Sequence, residues 1–181
     1  MVDLIQIPAF LARQISMLIE ASKILVEFKD RKIHIKKPQF MGPENIHIPI
    51  DILKDCGVKE YQIIVSDRGT CFGYDKLIVD PRHIKIMKNL FPNIDVLTDI
   101  THPNKNYTNL VSNFYLAQTL GLSSLASGSN GIFCEIHPDP TNSLCDSDTM
   151  LSLKEFDDMI KQFVALYEYE CRGYRNDFKI Q

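Results

Sequence analysis

Cations, an imidazole and carboxylates recur where apolar runs of this chain end. IHIKKPQF (33–40) closes with Lys36 and Lys37 side by side, followed by Pro38 and Gln39. YQIIVSDRG (61–69) delivers Asp67 and Arg68, and DVLTDITH (95–102) delivers Asp99 and His102. GIFCEIH (131–137) brings Glu135 and His137, with Asp139 and Asp146 following, while LIQIPAF (4–10) ends in Pro8, Ala9 and Phe10, with Arg13 just beyond. Such groups hold ions and move protons, although a Lys-Lys pair alone reads as a solvated strand end and Arg68 could simply pair with Asp67 or Asp99. A formal net charge of −3 over 181 residues gives no field that gathers nucleic acid or an acidic membrane. Any anion must therefore be held by a few local cations. Strand side chains alternate, so residues 33, 35 and 37 face one way and 34 and 36 the other. Lys36 and Lys37 cannot do the same job.

These groups need elements to position them. At 45% hydrophobic and 24% charged residues, a chain of this length buries a real core as one domain, 1–181, with no low-complexity tract or linker dividing it. Each short β-branched run precedes a helical pattern: around 12–24, near 48–56, at PRHIKIMKNLF (81–91), within 107–122, and at LSLKEFDDMIKQFVALYEY (151–169). Pro81 suits a first helical turn. In the last segment Leu153, Phe156, Ile160, Phe163, Val164 and Tyr167 recur at helical spacing, after Ser152 as N-cap with Glu155 three residues on. The tail CRGYRNDFKIQ reads as polar and loose. Five cysteines, odd in number and without C-x-x-C spacing, exclude a disulfide framework and a zinc knuckle. With no secretory signal and no bilayer-length apolar run, the expectation is a reduced, cytoplasmic protein with no membrane partner. His34 is expected to pack inside its strand, and His47 and His83 to lie at loop or helix surfaces.

Five βα units build a parallel sheet, either as an open doubly wound fold or as part of a (β/α)8 barrel, which needs eight units and about 250 residues. An open sheet concentrates chemistry at one switch point, whereas a barrel collects it from every strand. Here every strand end carries such groups, and the expected fold class is α/β, a partial (β/α)8 TIM barrel of about five βα units.

DLIQIPAFLARQ, IKKPQF, SDRGTCFGYDKLIVDPR, TDITH and GIFCEIHPDPTNSLCDSD resemble, in order and roughly in spacing, the 3-deoxy-D-manno-octulosonate 8-phosphate synthases. The resemblance runs from about Asp3 to the final helix. The related 3-deoxy-D-arabino-heptulosonate 7-phosphate synthases share the HPDP turn but differ where this chain reads KKPQF and RGTCFGY. The resemblance implies a transferase of aldolase-like chemistry in lipopolysaccharide sugar biosynthesis. It would condense phosphoenolpyruvate with D-arabinose 5-phosphate, as a homo-oligomer where the full barrel is present. It further implies that Lys37 and Arg68 contact phosphoenolpyruvate, with Gln39, Arg13 and the backbone of Ala9 and Phe10 completing the cradle and Lys36 directed toward other polar groups. His102 would orient the attacking water or the aldehyde. His102, Glu135 and Asp146 would hold a divalent metal ion in metal-dependent members and surround a water in the others.

The chain also departs from the pattern. Full-length relatives begin with three further βα units, which carry a further metal ligand, a lysine for phosphoenolpyruvate and the lysine-asparagine-arginine-serine stretch for the pentose phosphate. This chain corresponds to strands four to eight. After His102 it reads PNKNYTNLVSNFYLAQTLG instead of the family's serine, glutamine and glycine-rich loop, and CDSD replaces the glycine that follows Asp146. Two function classes follow: the synthase, or an inactive truncated paralogue that serves as a ligand-binding or interaction scaffold.

Overall fold

Five strands, β1 (Leu4–Ile7), β2 (Lys32–Lys37), β3 (Ile63–Asp67), β4 (Asp95–Asp99) and β5 (Gly131–Phe133), form one parallel sheet in chain order. The computed structural model describes residues 2–71, 76–105 and 111–171. Helices α1 (Ile15–Glu27), α2 (His47–Asp55), α3 (Pro81–Leu90), α4 (Asn113–Ala126) and α5 (Leu153–Cys171) follow the strands in turn. A doubly wound sheet reverses its strand order at a switch point; this one never does. With right-handed crossovers, unbroken order stacks the helices on one face. The α/β arrangement is that of a partial TIM-barrel-like wall.

Alternation sorts the two faces. Ile7, Ile33, Ile35, Ile63, Val65 and Val96 share the parity that packs against Leu18 and Leu25 of α1, Ile50 and Leu53 of α2, and Ile84 and Met87 of α3, all in one buried cluster. The opposite parity places Gln6, His34, Lys36, Ser66 and Asp99 on the face turned away from the helices. A second cluster joins α4 to α5 through Ala117, Leu125, Met159 and Phe163. Gly121 makes that approach possible, since a Cβ there would lie 2.2 Å from the Phe163 ring.

Helix boundaries follow their capping chemistry. Asp80 accepts from the Arg82 backbone N–H at 3.0 Å and Pro81 opens α3. Ser152 and Glu155 form the expected reciprocal box: the Ser152 backbone N–H donates to Glu155 Oε2 at 2.8 Å, and the Glu155 N–H donates to Ser152 Oγ at 3.3 Å. Helix α4 runs from Asn113 to Ala126, ending later than expected; residues 107–110, and 172–181 of the polar tail, lie outside the described residues, and Cys171 ends α5. Tyr61 and Gln62, expected in a strand, form a 3-10 turn whose buried Gln62 amide donates to the carbonyls of Leu25 and Arg31.

GIFCEIH is not one strand. Beyond β5, Ile136–His137 (β6) turns to pair with Leu151–Ser152 (β7) in a separate two-stranded sheet. Within the main sheet, β1 and β5 each have a strand neighbour on one side only. Apolar grooves flank both edges, one lined by Ile5, Ile7, Met17 and Ile24, the other by Leu125, Ile132, Phe163 and Tyr167. Cys56, Cys71, Cys134 and Cys145 are free thiols, and burial pushes that of Cys134 up to about 12. Among the described residues no helix is long and apolar enough to cross a membrane.

Candidate active site

The carboxyl ends of the strands surround a pocket of about 170 Å³, lined by Gln6, Pro8, Ala9, Phe10, Lys36, Arg68, His102 and Glu135. Each residue arrives for a local reason. Lys36 is the last residue of β2 on the face away from the helices, and its Nζ lies 3.4 Å from Asp99 Oδ2, 3.8 Å from Glu135 Oε1 and 3.6 Å from the centre of the Phe133 ring. Arg68 follows β3 directly, before Gly69 takes a positive φ of 85° that turns the chain away. Its guanidinium reaches Gln39 Oε1 at 3.5 Å and lies 5.7 Å from the Phe10 ring centre. The carboxylates that could have paired with it are engaged elsewhere, Asp67 by Lys37 and Asp99 by Lys36. Arg68 thus brings to the pocket a planar fork that makes no ion pair with a carboxylate among the described residues.

Lys37 goes elsewhere. Its parity is that of Ile33 and Ile35, so its side chain enters the helix side of the sheet and is fully buried. Its Nζ lies 3.2 Å from Asp67 Oδ1 and donates to the carbonyls of Pro38, Met41 and Gly69 at 3.1–3.3 Å. Expected to contact phosphoenolpyruvate, Lys37 instead has every donor occupied away from the pocket, and Lys36 takes the pocket position. Arg13 is exposed and does not line the pocket; Gln39 acts on Arg68; Ala9 is buried and Phe10 is 65% exposed at the rim.

His102 opens a 3-10 turn after β4, where Asp99 Oδ1 accepts from the backbone N–H groups of Thr101 and His102. Asp99 Oδ2 lies 2.7 Å from His102 Nδ1. Burial alone would push the Asp99 carboxyl up, but the His102 hydrogen bond, the charges of His102 and Lys36 and the backbone donor hold it below the usual range. With Nδ1 engaged, Nε2 faces Glu135 Oε1 at 3.6 Å. His102, Glu135 and Asp146 offer ligand atoms all within 4.8 Å of one another. One imidazole nitrogen and two carboxylates suit a borderline divalent cation, and a carboxylate behind Nδ1 is the usual support for a ligating Nε2. The donor set fits a metal.

Beneath the pocket, His34 Nδ1 lies 3.2 Å from Gln6 Oε1, while its Nε2 and the Ser66 hydroxyl are buried without a hydrogen-bond partner among the described residues. Burial, then the Lys36 charge, lower the His34 pKa to about 4 against a weaker opposing effect of Asp99. Residues that sequence reasoning undervalued are Lys36, Gln6, Phe133 and Lys105; the signal for Lys36 was present in the apolar parity that claims Lys37. The RGTCFGY motif runs into residues 72–75, which lie outside the described residues.

Comparison with known proteins identifies relatives of this chain. A 2-dehydro-3-deoxyphosphooctonate aldolase of Aliivibrio fischeri is 37% identical over 169 residues, covering 91% of this chain and 57% of its own length. Proteins of the same name from Aliivibrio salmonicida and Cronobacter sakazakii are 38% and 37% identical over 172 and 179 residues, covering 57% and 61% of their lengths. The chain thus spans less than two thirds of these relatives. The family description "DAHP synthetase I family" matches residues 1–169, and the chain belongs to that family.

Proposed function

We propose that this chain is the C-terminal part, strands four to eight, of a (β/α)8 3-deoxy-D-manno-octulosonate 8-phosphate synthase, and that it carries the phosphoenolpyruvate site. The observation that bears most weight is the pocket lined by both Lys36 and Arg68, in which Arg68 has no carboxylate ion-pair partner among the described residues. The name of its relatives, 2-dehydro-3-deoxyphosphooctonate aldolase, supports the same product class. Phosphoenolpyruvate, D-arabinose 5-phosphate and water would give the eight-carbon phosphate and inorganic phosphate, in a cytoplasmic setting.

Lys36 and Arg68 hold the phosphate and carboxylate of phosphoenolpyruvate and neutralise them. The C3 carbon then attacks the sugar aldehyde while water adds at C2, and the tetrahedral intermediate expels phosphate. His102, kept in one orientation by Asp99, directs the water or the aldehyde through Nε2. A divalent cation, where bound by His102, Glu135 and Asp146, supplies Lewis-acid polarisation of an oxygen in this space. Positioning and fixed charge supply most of the acceleration.

Calorimetric titration of the chain with phosphoenolpyruvate tests the site. The expected result is binding that Arg68→Ala weakens; no binding by the wild-type chain rejects the reading. Phosphate release from phosphoenolpyruvate that depends on D-arabinose 5-phosphate tests the reaction. The chain alone is expected to release little, because holding both reactants can account for about 7–11 kcal/mol of barrier and the pentose phosphate contacts belong to the three further βα units. Release at an ordinary enzymatic rate by the chain alone would show that another segment has taken over the sugar site.

A further inference from the structure

The turn that supplies His102 also supplies a cation. Lys105 lies three residues on, and its Nζ sits 2.9 Å from Asp146 Oδ1 across a sequence separation of 41 residues. Glu135, the other carboxylate of the triad, has the Lys36 ammonium 3.8 Å away. Each carboxylate therefore already faces an ammonium before any metal arrives.

We propose that Lys105 is a tethered cation that occupies the Asp146 subsite and weakens the hold of this chain on a divalent metal. The proposal rests on the metal reading of His102, Glu135 and Asp146 given above. A cation accepted by these three groups must take a place among donor atoms no more than 4.8 Å apart, and the Asp146 carboxylate, which supplies one of those corners, is already bonded to Lys105 through Oδ1. Two positive groups cannot share that corner without strong repulsion. The Lys105 side chain is half exposed, whereas that of Asp146 is only 22% exposed. The ammonium can swing out into water while the carboxylate stays, so entry of the metal is an exchange of one cation for another. The same contact, with the Lys105 hydrogen bond as the leading cause, holds the Asp146 carboxyl below its usual range while Lys105 is in place. Asp146 itself has a left-handed backbone, φ 46°, a conformation that Asp adopts more readily than most residues, and the Lys105 bond helps to hold the loop there in the absence of a metal.

Equilibrium dialysis against zinc, on the full chain and its Lys105→Met and Lys105→Arg variants, tests this without any assay of turnover. Lys105→Met keeps most of the stem and removes the charge; Lys105→Arg keeps the charge. The expected result is about tenfold tighter zinc binding by Lys105→Met, with Lys105→Arg close to wild type. Equal affinity in wild type and Lys105→Met overturns the proposal. Tighter binding by both variants also overturns it, because the stem rather than the charge would then be responsible. No zinc binding by any of the three rejects the proposal together with the metal reading, and the phosphoenolpyruvate titration separately shows whether the anion site survives that outcome.

Discussion

Two clusters of the same composition sit on opposite faces of the sheet. On the helix side, Lys37, Asp67 and His83 meet, with Lys37 Nζ 3.2 Å and His83 Nδ1 2.9 Å from the Asp67 carboxylate. On the other side, Lys36, Asp99 and His102 meet at 3.4 and 2.7 Å. In both, the aspartate ends a strand, is fully buried, and accepts from a backbone N–H just after that strand. Burial would raise the Asp67 carboxyl, but the hydrogen bond from His83 and the Lys37 charge more than offset it, as His102 and Lys36 do for Asp99. The difference lies in what remains. Lys37 directs its donors to three carbonyls beside the Asp67 carboxylate, while Lys36 lies over the Phe133 ring and lines an open pocket. Residue type does not separate a structural staple from a binding group; the unspent donors do.

The sharpest way to break this contrast is to remove each lysine. Lys37→Ala leaves a buried carboxylate and three carbonyls without their cation and is expected to cost about 3–5 kcal/mol in urea unfolding. Lys36→Ala should cost well under half of that, since it strips no carbonyl of its donor and water can enter from the pocket. Equal losses would dissolve the distinction.

Proton uptake on the pocket face gives the next effect. His34 is held neutral in the fold with a pKa of about 4. The unfolded chain takes up the proton near 6.5, so this contribution is fully present above that pH and is lost as the pH falls toward 4. The loss amounts to about 3 kcal/mol. Unfolding free energies measured between pH 7 and 5 should therefore decline in wild type and flatten in His34→Gln. An unchanged slope in the variant would place the titration elsewhere.

Ligand binding separates the two lysines more finely. Lys36→Ala and Arg68→Ala are each expected to weaken phosphoenolpyruvate binding by ~1.5–3 kcal/mol, about ten- to a hundredfold, in calorimetric titration. The matching change at Lys37, in whatever fraction remains folded, should leave affinity intact; a loss there equal to that at Lys36 would restore Lys37 as a contact. At the rim, Phe10→Leu removes only the ring under Arg68 and is expected to cost ~0.5–1 kcal/mol of the same affinity.

Much of this layout is written in local sequence. Five apolar runs became five strands, Pro81 and the Ser152–Glu155 pair began their helices, and the odd-even rule separated Lys36 from Lys37. Assigning the faces needed one further step: Ile33 and Ile35 share the parity of Lys37, and Ile63 and Val65 that of Asp67, so the apolar face continues into two charges that must pair because they are buried. Other features leave no local trace. The two-residue strands β6 and β7 are too short to show a period. The contact between Lys105 and Asp146 depends on where two distant loops come to rest, and nothing in either segment names the other.

Chain-order pairing of the strands also bears on how the protein is made. Leu4 pairs with Lys32, 28 residues on, and later strands wait over similar intervals for the next one. At about 5–20 residues per second of synthesis, each new strand edge stands open for a few seconds before its neighbour leaves the ribosome. Among these five strands, assembly can then proceed in chain order, each pairing with the one made just before it. A pause in synthesis between β2 and β3 would lengthen the time for which the β2 edge stands unpaired.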